Sequence, residues 1–281
     1  MHTDEMAEMD RAEGQQHHEE MPQGAHPSFM NVIRTKERIK QKLSSVKHKV
    51  GVYSAKGGVG KTTVSVNLAY ALTARGFKVG LLDADIDCPN VSQFLGIDER
   101  MNVSSFPLKP IEKYGIKAAS TAMIVDDTKR PIIWRGPIIV KMLYDFFENT
   151  DWGELDYLII DLPPGTSDAP LTIMQVLDLD GFVIVTTPQR VAGMNSVRSG
   201  MMAKRLNTAL LGVVENMSSG VPSKNTEWVI STLNTRLLGT VRMDQDFSTY
   251  SDEGRIPSEQ NEAILRMFNG IVDSLIGRIG T

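Results

Sequence analysis

The stretch GVYSAKGGVGKTTVSVNLA, residues 51–69, decides the fold of this 281-residue chain. It joins an apolar, β-rich run to a segment of helical composition through a loop that holds three glycines and two lysines. The loop matches the phosphate-binding pattern G-x-x-x-x-G-K-[ST], except that Ala55 stands at the first glycine position. Glycines allow backbone N–H groups to turn toward a phosphate, and the helix beginning near Lys61 adds the positive end of its dipole. The sequence therefore predicts a nucleotide-binding loop between a strand and a helix.

Each residue type in this loop has a chemical role beside a nucleotide. Lys61 is expected to reach the β- and γ-phosphates, and the hydroxyl of Thr62 is expected to be a ligand of Mg²⁺. The predicted nucleotide-binding residues of the loop are Ser54, Ala55, Lys56, Gly57, Gly58, Val59, Gly60, Lys61, Thr62 and Thr63.

From residue 48 onward, short apolar runs alternate with longer helical stretches. The predicted strands are 49–55, 78–85, 116–122, 156–162, 181–187, 210–217 and 237–243, and the predicted helices include 61–75, 137–149, 168–178, 190–206 and 258–278. Several runs are nearly continuous in Val, Ile and Leu, as in strands that are buried on both faces. This alternation predicts one doubly wound α/β domain over 48–281, with a mainly parallel sheet of about seven to eight strands and ligands at the carboxyl ends of the strands.

The first 47 residues differ in composition from the rest of the chain. Residues 1–28 are acidic, contain Met and His, and are poor in aromatic residues, which predicts a disordered tail. Residues 29–47 are rich in Lys and Arg and have apolar residues at helical spacing, which predicts a basic amphipathic helix. From residue 49 onward there is no histidine and one cysteine, Cys88, so this part of the chain has neither a histidine base nor a zinc site made of Cys and His alone.

The overall composition excludes several classes of function. The net charge of -4 gives no general attraction to nucleic acid. No apolar run reaches the roughly 20 residues that span a bilayer, and the N-terminus has no apolar signal core. We therefore expect a cytoplasmic protein without nucleic-acid or membrane partners. The amphipathic stretch 261–280 leaves two alternatives, a helix packed on the sheet or a tail that lies on a membrane surface.

Carboxylates follow two of the predicted strands, in the segments LLDADIDCPN (81–90) and DYLIID (156–161). At the carboxyl end of a strand a carboxylate can hold Mg²⁺ or orient water. We predict that Asp161 lies near the ion and that Asp83 supports the ion from its outer shell. Solvation of the strand end or helix capping is the alternative for Asp83. Gly165, in the loop after the second segment, is expected to offer its amide to the γ-phosphate.

Several motifs together resemble a known family. KGGVGKTT (56–63) resembles the deviant phosphate-binding loop of the MinD/ParA/nitrogenase-iron-protein superfamily, and DLPPGTSD (161–168) resembles the second switch loop of Mrp/ApbC-type ATPases. Further matches are DADI (83–86), WRGPII (134–139), TTPQ (186–189), VVENMS (213–218) and SDEGRIP (251–257). The chain is therefore identified as a member of the Mrp/ApbC-type iron–sulfur cluster carrier ATPases, which are P-loop NTPases of the SIMIBI type.

The resemblance implies a homodimer that sandwiches two Mg-ATP molecules and hydrolyses them slowly. Lys56 would reach across the dimer to the partner's phosphates, in the manner of an arginine finger. Asp85 has the family's first-switch spacing from Lys61 and is predicted to orient the attacking water. Asn216, in VVENMS, would hydrogen-bond the adenine edge, and no guanine motif stands in the matching place. The implied role is iron–sulfur cluster assembly and transfer to apo-proteins.

The sequence departs from the family where the cluster would bind. The C-x-x-C motif that these carriers have after VVENMS is missing from ENMSSGVPSKNTEW (215–228). An iron–sulfur cluster commonly needs four thiolates, whereas a homodimer of this chain offers two, both from Cys88 in the first switch loop.

Three functions therefore stay open. The chain is an ATPase that serves iron–sulfur assembly with a partner's ligands or an unusual site, or it is a MinD/ParA-like positioning switch without a cluster. The third alternative is a metal-handling module that uses the Met- and His-bearing tail.

Overall fold

The structure is a computed structural model that describes residues 27–102, 104, 106–124, 136–166 and 168–279. The predicted tail lies outside these residues except for its last two positions, and WRGPII is described only from Gly136 onward. None of the helices in these ranges combines the length and the apolar character needed to cross a bilayer.

Within the described residues, eight strands form one sheet in the order β3-β4-β2-β5-β1-β6-β7-β8. The strands are β1 Val46–Tyr53, β2 Val79–Asp83, β3 Ile111–Lys113, β4 Ile116–Ala119, β5 Leu155–Asp161, β6 Gly181–Thr186, β7 Leu210–Ser218 and β8 Leu237–Arg242. Neighbouring strands are parallel except for the β3–β4 pair. This confirms the predicted doubly wound, mainly parallel sheet. Strand β3 was not predicted because three residues are too short for a periodic pattern.

The inner strands are buried along most of their length, as their continuous apolar runs predict. Every residue of β2 and β6 is buried, and the first and last strands of the order are more exposed. The helices are α1 Pro27–Lys42, α2 Lys61–Thr73, α3 Val91–Phe94, α4 Gly136–Asn149, α5 Asp168–Val176, α6 Arg190–Arg205, α7 Lys224–Leu233, α8 Asp246–Asp252, α9 Pro257–Gln260 and α10 Glu262–Ile276. Three of them, α3, α7 and α8, were not among the predicted helices.

The C-terminal stretch forms two helices where the sequence predicts one. The side chain of Asn261 accepts hydrogen bonds from the backbone N–H groups of Ala263 and Ile264 and so caps α10, which separates it from α9. The apolar face of α10 is buried against β8 and α2; its buried residues are Ile264, Phe268, Ile271, Val272 and Leu275. Of the two alternatives, the structure therefore shows a helix packed on the sheet.

Helix α1 lies on the domain. Its side chains Ile39 and Leu43, the latter just past its end, are buried in the core, and Arg38 Nε lies 3.0 Å from a carboxylate oxygen of Glu148 in α4. The helix ends at Lys42, earlier than the predicted residue 47, because β1 already begins at Val46.

The sheet order brings three loops together at one edge. Strand β1 lies between β5 and β6, so the chain turns to opposite sides of β1 at a topological switch point, where ligands bind in such folds. In the strand register Asp161 pairs with Val52 of β1 and with Asp83 of β2. The phosphate-binding loop and both acidic segments therefore meet at the carboxyl ends of adjacent strands.

Candidate nucleotide-binding site

The loop after β1 turns through two glycines in the left-handed region. The φ angle is 77° at Gly58 and 81° at Gly60, which a residue with a side chain rarely adopts. Gly57 and Gly58 are exposed, with open space where a Cβ would lie, and α2 begins at Lys61. An uncovered glycine loop that ends at a helix N-terminus is suited to bind a phosphate.

Thr62, Ser65 and Asp161 form a hydrogen-bonded group behind this loop. Thr62 Oγ1 donates to one oxygen of Asp161 at 2.6 Å, and Ser65 Oγ donates to the other at 3.0 Å. Burial raises the pKa of Asp161, although the charge of Lys61 and the two hydroxyl donors act in the opposite direction. A hydroxyl and a carboxylate are hard oxygen donors, so the Thr62–Asp161 pair fits Mg²⁺. Ser65 was not predicted, although its position one helical turn after Lys61 was a usable signal.

Asp83 is a buried carboxylate whose oxygens are occupied. Its donors are the backbone N–H groups of Asp85, Asn90 and Val91 and the hydroxyl of Ser120, at 2.9–3.2 Å. Burial and the neighbouring charge of Asp161 raise the pKa of Asp83 to about 8. These contacts hold the loop after β2 against the sheet. Asp83 therefore anchors the acidic loop, a role similar to the helix capping that the sequence analysis gave as its alternative.

Asp85 lies in the same acidic group but is half-buried. Its Oδ1 accepts a hydrogen bond from the backbone N–H of Cys88 at 3.1 Å. Burial raises the pKa of Asp85, and the Cys88 hydrogen bond and the charge of Lys61 act against that rise. Its second carboxylate oxygen has no hydrogen bond among those of the described residues, so it is available to a water molecule.

The two lysines of the loop have different surroundings. Lys61 is only 9% exposed, and its positive charge acts on Asp85 and Asp161. Lys56 is half-buried, and its Nζ makes a long contact of 3.4 Å with Oε1 of Gln189, immediately before α6. Lys61 therefore compensates the local acidic charge, whereas Lys56 contacts the neutral side chain of Gln189.

Tyr53 connects β1 with the loop after β5. Its Oη donates to the backbone carbonyl of Gly165 at 2.5 Å, and burial raises the pKa of Tyr53 to about 12. Gly165 has φ 90° and open space where a Cβ would lie. The Tyr53 hydroxyl thus fixes the glycine whose amide was predicted to meet the γ-phosphate. No local pattern identified Tyr53, because it reads as one more apolar strand residue.

Asn216 lies beside the phosphate-binding loop. It is 4% exposed, and its Nδ2 donates to the backbone carbonyl of Val59 at 2.9 Å. The predicted contact of this residue was with adenine. In the structure one of its N–H groups is directed to the phosphate-binding loop, and the adenine contact stays a prediction.

The comparisons with known proteins agree with this geometry. Residues 45–276 match the family model ParA, described as NUBPL iron-transfer P-loop NTPase. The chain belongs to this family. This confirms the resemblance to Mrp/ApbC-type carriers of the MinD/ParA superfamily.

Two relatives show how far the similarity of this chain extends. The chain is 40% identical over 261 residues to an iron–sulfur cluster carrier protein of Methanocaldococcus jannaschii, with 86% of this chain and 89% of the relative covered. A carrier protein of the same description from Aquifex aeolicus is 39% identical over 251 residues, which cover 84% and 69% of the two chains.

Solved structures show the same fold. A nucleotide-binding protein from Archaeoglobus fulgidus, in complex with ADP, is 34% identical with a TM-score of 0.69, covering 80% of this chain and 94% of that one. The cell division ATPase MinD of Pyrococcus furiosus is 22% identical with a TM-score of 0.63, and the match covers 83% of this chain and 99% of that one.

The cysteine content sets this chain apart from the pattern expected of its family. Cys88, the one cysteine of the sequence, is exposed and free. Among the described residues, no group of three or more His, Cys, Asp or Glu side chains is arranged to hold a metal ion. The described surface therefore offers one thiolate per chain to a cluster.

Proposed function

We propose that this iron-transfer P-loop NTPase binds and slowly hydrolyses ATP as a homodimer, and that its ATP cycle serves the transfer of an iron–sulfur cluster to apo-proteins. The observation that carries the ATP part is the 2.6 Å hydrogen bond between Thr62 and Asp161 at the start of α2. This pair would hold Mg²⁺, which in the bound state offsets the negative charge of the β- and γ-phosphates.

The remaining groups divide the work around the phosphates. The loop amides and Lys61 bind the phosphate oxygens, and the Gly165 amide contacts the γ-phosphate. Asp85 accepts a hydrogen bond from the attacking water and so orients it. Because the acidic segments and the phosphate-binding loop meet at adjacent strand ends, loss of the γ-phosphate changes the contacts of both acidic loops.

The homodimer is supported by the position of Lys56 and by apolar side chains at the same edge. The Nζ of Lys56 contacts the neutral side chain of Gln189, and from this position it can reach the phosphates of a second copy. The exposed apolar residues at the carboxyl ends of β6, β7 and β8 are Val191, Met194, Met217, Val221 and Met243, with 41–80% exposure. A second copy placed over this edge would cover them.

The cluster is cargo in this proposal, and this chain does not supply all its ligands. Two copies offer two Cys88 thiolates, half of the usual four. A cysteine-bearing partner would supply the others. The missing cysteines also favour a second candidate, a MinD/ParA-like positioning switch without a cluster. The third alternative concerns the tail, which lies outside the described residues and stays a prediction.

ATP binding and hydrolysis are tested with two lysine variants. Lys61→Ala should lose ATP binding, because it removes the buried cation of the loop. Lys56→Ala should keep binding but lower the hydrolysis rate about 10³-fold, as loss of a cation supplied by a partner does. Lys78→Ala, at an exposed lysine paired with Glu154, is the matched control and should change neither quantity. Normal hydrolysis by Lys56→Ala would exclude the sandwich dimer.

The cargo is tested by anaerobic reconstitution with iron and sulfide, followed by absorption spectra and iron counting. We expect no stable cluster on the protein alone, and a cluster when a cysteine-bearing apo-protein is added, with transfer that depends on ATP. Cys88→Ala shows whether the thiolate takes part. If ATP and the apo-protein together have no effect on transfer, the positioning switch is the better explanation.

A further inference from the structure

The end of β7 contains an irregularity that re-aims two side chains. The register between β7 and β8 shifts between Glu215 and Ser218, and Met217 has φ 54°. Such bulges turn a side chain out of the regular alternation of a strand, often beside a site. Here Asn216 is 4% exposed and Met217 is 41% exposed. The bulge therefore directs Asn216 inward, to the phosphate-binding loop.

Asn216 contacts the part of that loop that leads into α2. Its Nδ2 donates to the carbonyl of Val59 at 2.9 Å, and a Cβ at Gly60 would collide with the same nitrogen. Val59 and Gly60 directly precede Lys61, so the carboxamide fixes the peptide groups that lead into α2. Only a glycine at residue 60 leaves room for this contact.

Glu215 anchors the bulge from the other side. Its carboxylate is inaccessible to solvent and accepts hydrogen bonds from Ser218 Oγ at 2.7 Å, Ser223 N at 2.9 Å and Ser223 Oγ at 2.6 Å. Burial alone raises the pKa of Glu215, but hydrogen bonds from Ser223, Thr226 and Ser218 outweigh it and hold the pKa below its usual range. The carboxylate is therefore ionised at neutral pH. Because Ser223 also caps α7, Glu215 ties the bulge to the start of that helix.

We propose that Asn216 is a positioning residue for the phosphate-binding loop, held by the bulge that Glu215 anchors, and that it strengthens phosphate binding whatever base the nucleotide carries. This inference rests on the proposed ATP binding and adds a role to the predicted adenine contact. It follows from the contact with Val59, because the carbonyl that accepts this hydrogen bond belongs to the phosphate-binding loop itself. Asn216 therefore acts on the phosphates through the backbone of the loop.

The test compares Mg-ATP with Mg-bound inorganic triphosphate, which has no base. Asn216→Ala should weaken the binding of both ligands by about three- to tenfold, the effect of one hydrogen bond. The matched control is Asn225→Ala, since Asn225 Nδ2 donates to the backbone carbonyl of Pro188 at 2.6 Å, and Pro188 is not a residue of the loop. The control should bind both ligands as the wild type does. If Asn216→Ala does not fold, Asn216→Thr, which suits a strand, takes its place.

The inference is overturned if Asn216→Ala changes the affinity for triphosphate by less than about threefold, even if ATP binding weakens. Asn216 would then contact only the base. If the wild-type protein binds neither ligand, both the proposed function and this inference fail. If the wild type binds both ligands, the proposed ATP binding is supported. The affinities of the Asn216 variant then test this inference separately.

Amide hydrogen exchange in the nucleotide-free protein gives a readout that needs no ligand. Asn216→Ala should speed exchange in residues 58–61, and Glu215→Gln should do so to a smaller extent together with residues 218–223. Asn225→Ala should leave residues 58–61 unchanged. Unchanged exchange of the loop in both the Asn216 and Glu215 variants would also overturn the inference.

Discussion

Three alanine substitutions in the phosphate-binding loop separate backbone strain from side-chain contact. Gly57 has no left-handed φ, and nothing lies within 4 Å of the position that a Cβ would take there. Gly58 has φ 77° and the same open space. Gly60 has φ 81°, and its Cβ would collide with Asn216 Nδ2. The series therefore adds first strain and then a collision.

The expected costs follow from these differences. A non-glycine residue in the left-handed region costs about 1–2 kcal/mol, so Gly58→Ala should lower the free energy of unfolding by that amount relative to Gly57→Ala. Gly60→Ala carries the same strain and displaces Asn216 from Val59, which adds about 1 kcal/mol for a buried hydrogen bond. Its total should be about 2–3 kcal/mol. The effect of alanine on the unfolded chain is shared by all three variants and cancels in the comparison.

The assay is urea unfolding without nucleotide, with the slope checked for constancy across the series. The double variant Gly60→Ala/Asn216→Ala should cost less than the sum of its two single variants, because the second change removes the collision. The reasoning is refuted if the free energies of unfolding of Gly60→Ala and Gly58→Ala differ by less than about 0.5 kcal/mol. It is also refuted if the effects of the two changes add in the double variant, because Asn216 would then not contact the Cβ at residue 60.

Three further predictions concern the acidic group, the loop after β5 and the helix packing. Because the folded pKa of Asp83 is about 8, above its unfolded value of 3.8, the folded state holds more protons between these values, so stability should fall as the pH rises through that range. Asp83→Asn should flatten this fall by up to about 2 kcal/mol between pH 6 and 8 in urea titrations, and parallel pH profiles would contradict it. Tyr53→Phe should cost about 1 kcal/mol and speed amide exchange around Gly165, since it deletes the 2.5 Å hydrogen bond; unchanged exchange there would argue against the link. Gly200→Ala should lower the melting temperature, because its Cβ would collide with a leucine of α7, whereas Gly193→Ala meets its nearest atom at 3.4 Å and should be tolerated; equal melting temperatures would contradict the α6–α7 packing.

The fold could be predicted from the sequence because its signals are local. Continuous Val, Ile and Leu runs mark strands that are buried on both faces, and glycines before Lys61 mark the loop that opens a helix. The short elements β3 and α3 were missed, since three or four residues carry no measurable period. The break at Asn261 was also missed, because a single capping side chain produced it.

The site could be predicted only as a set of residues. The sequence predicts that Asp161 lies at the end of a strand and Thr62 at the start of a helix. It does not predict the hydrogen bond between them. Tyr53 and Ser65 were missed for the same reason, since their partners are distant in sequence. Asp83 was predicted to lie near an ion. Its four hydrogen-bond donors could not be predicted, because the folded loop brings them to it.

The sequence by itself determined the family, the parallel α/β sheet and the phosphate-binding loop, because these depend on residue types at short, fixed spacings. It also showed that this chain has one cysteine where its family would use more. Only the tertiary structure decided which distant groups come into contact. Lys56 contacts Gln189, and Asn216 contacts Val59. The apolar face of α10 packs on the sheet. The physical reason is that these contacts join segments far apart in the chain; for Asn216, the bulge in β7 sets the direction of the side chain.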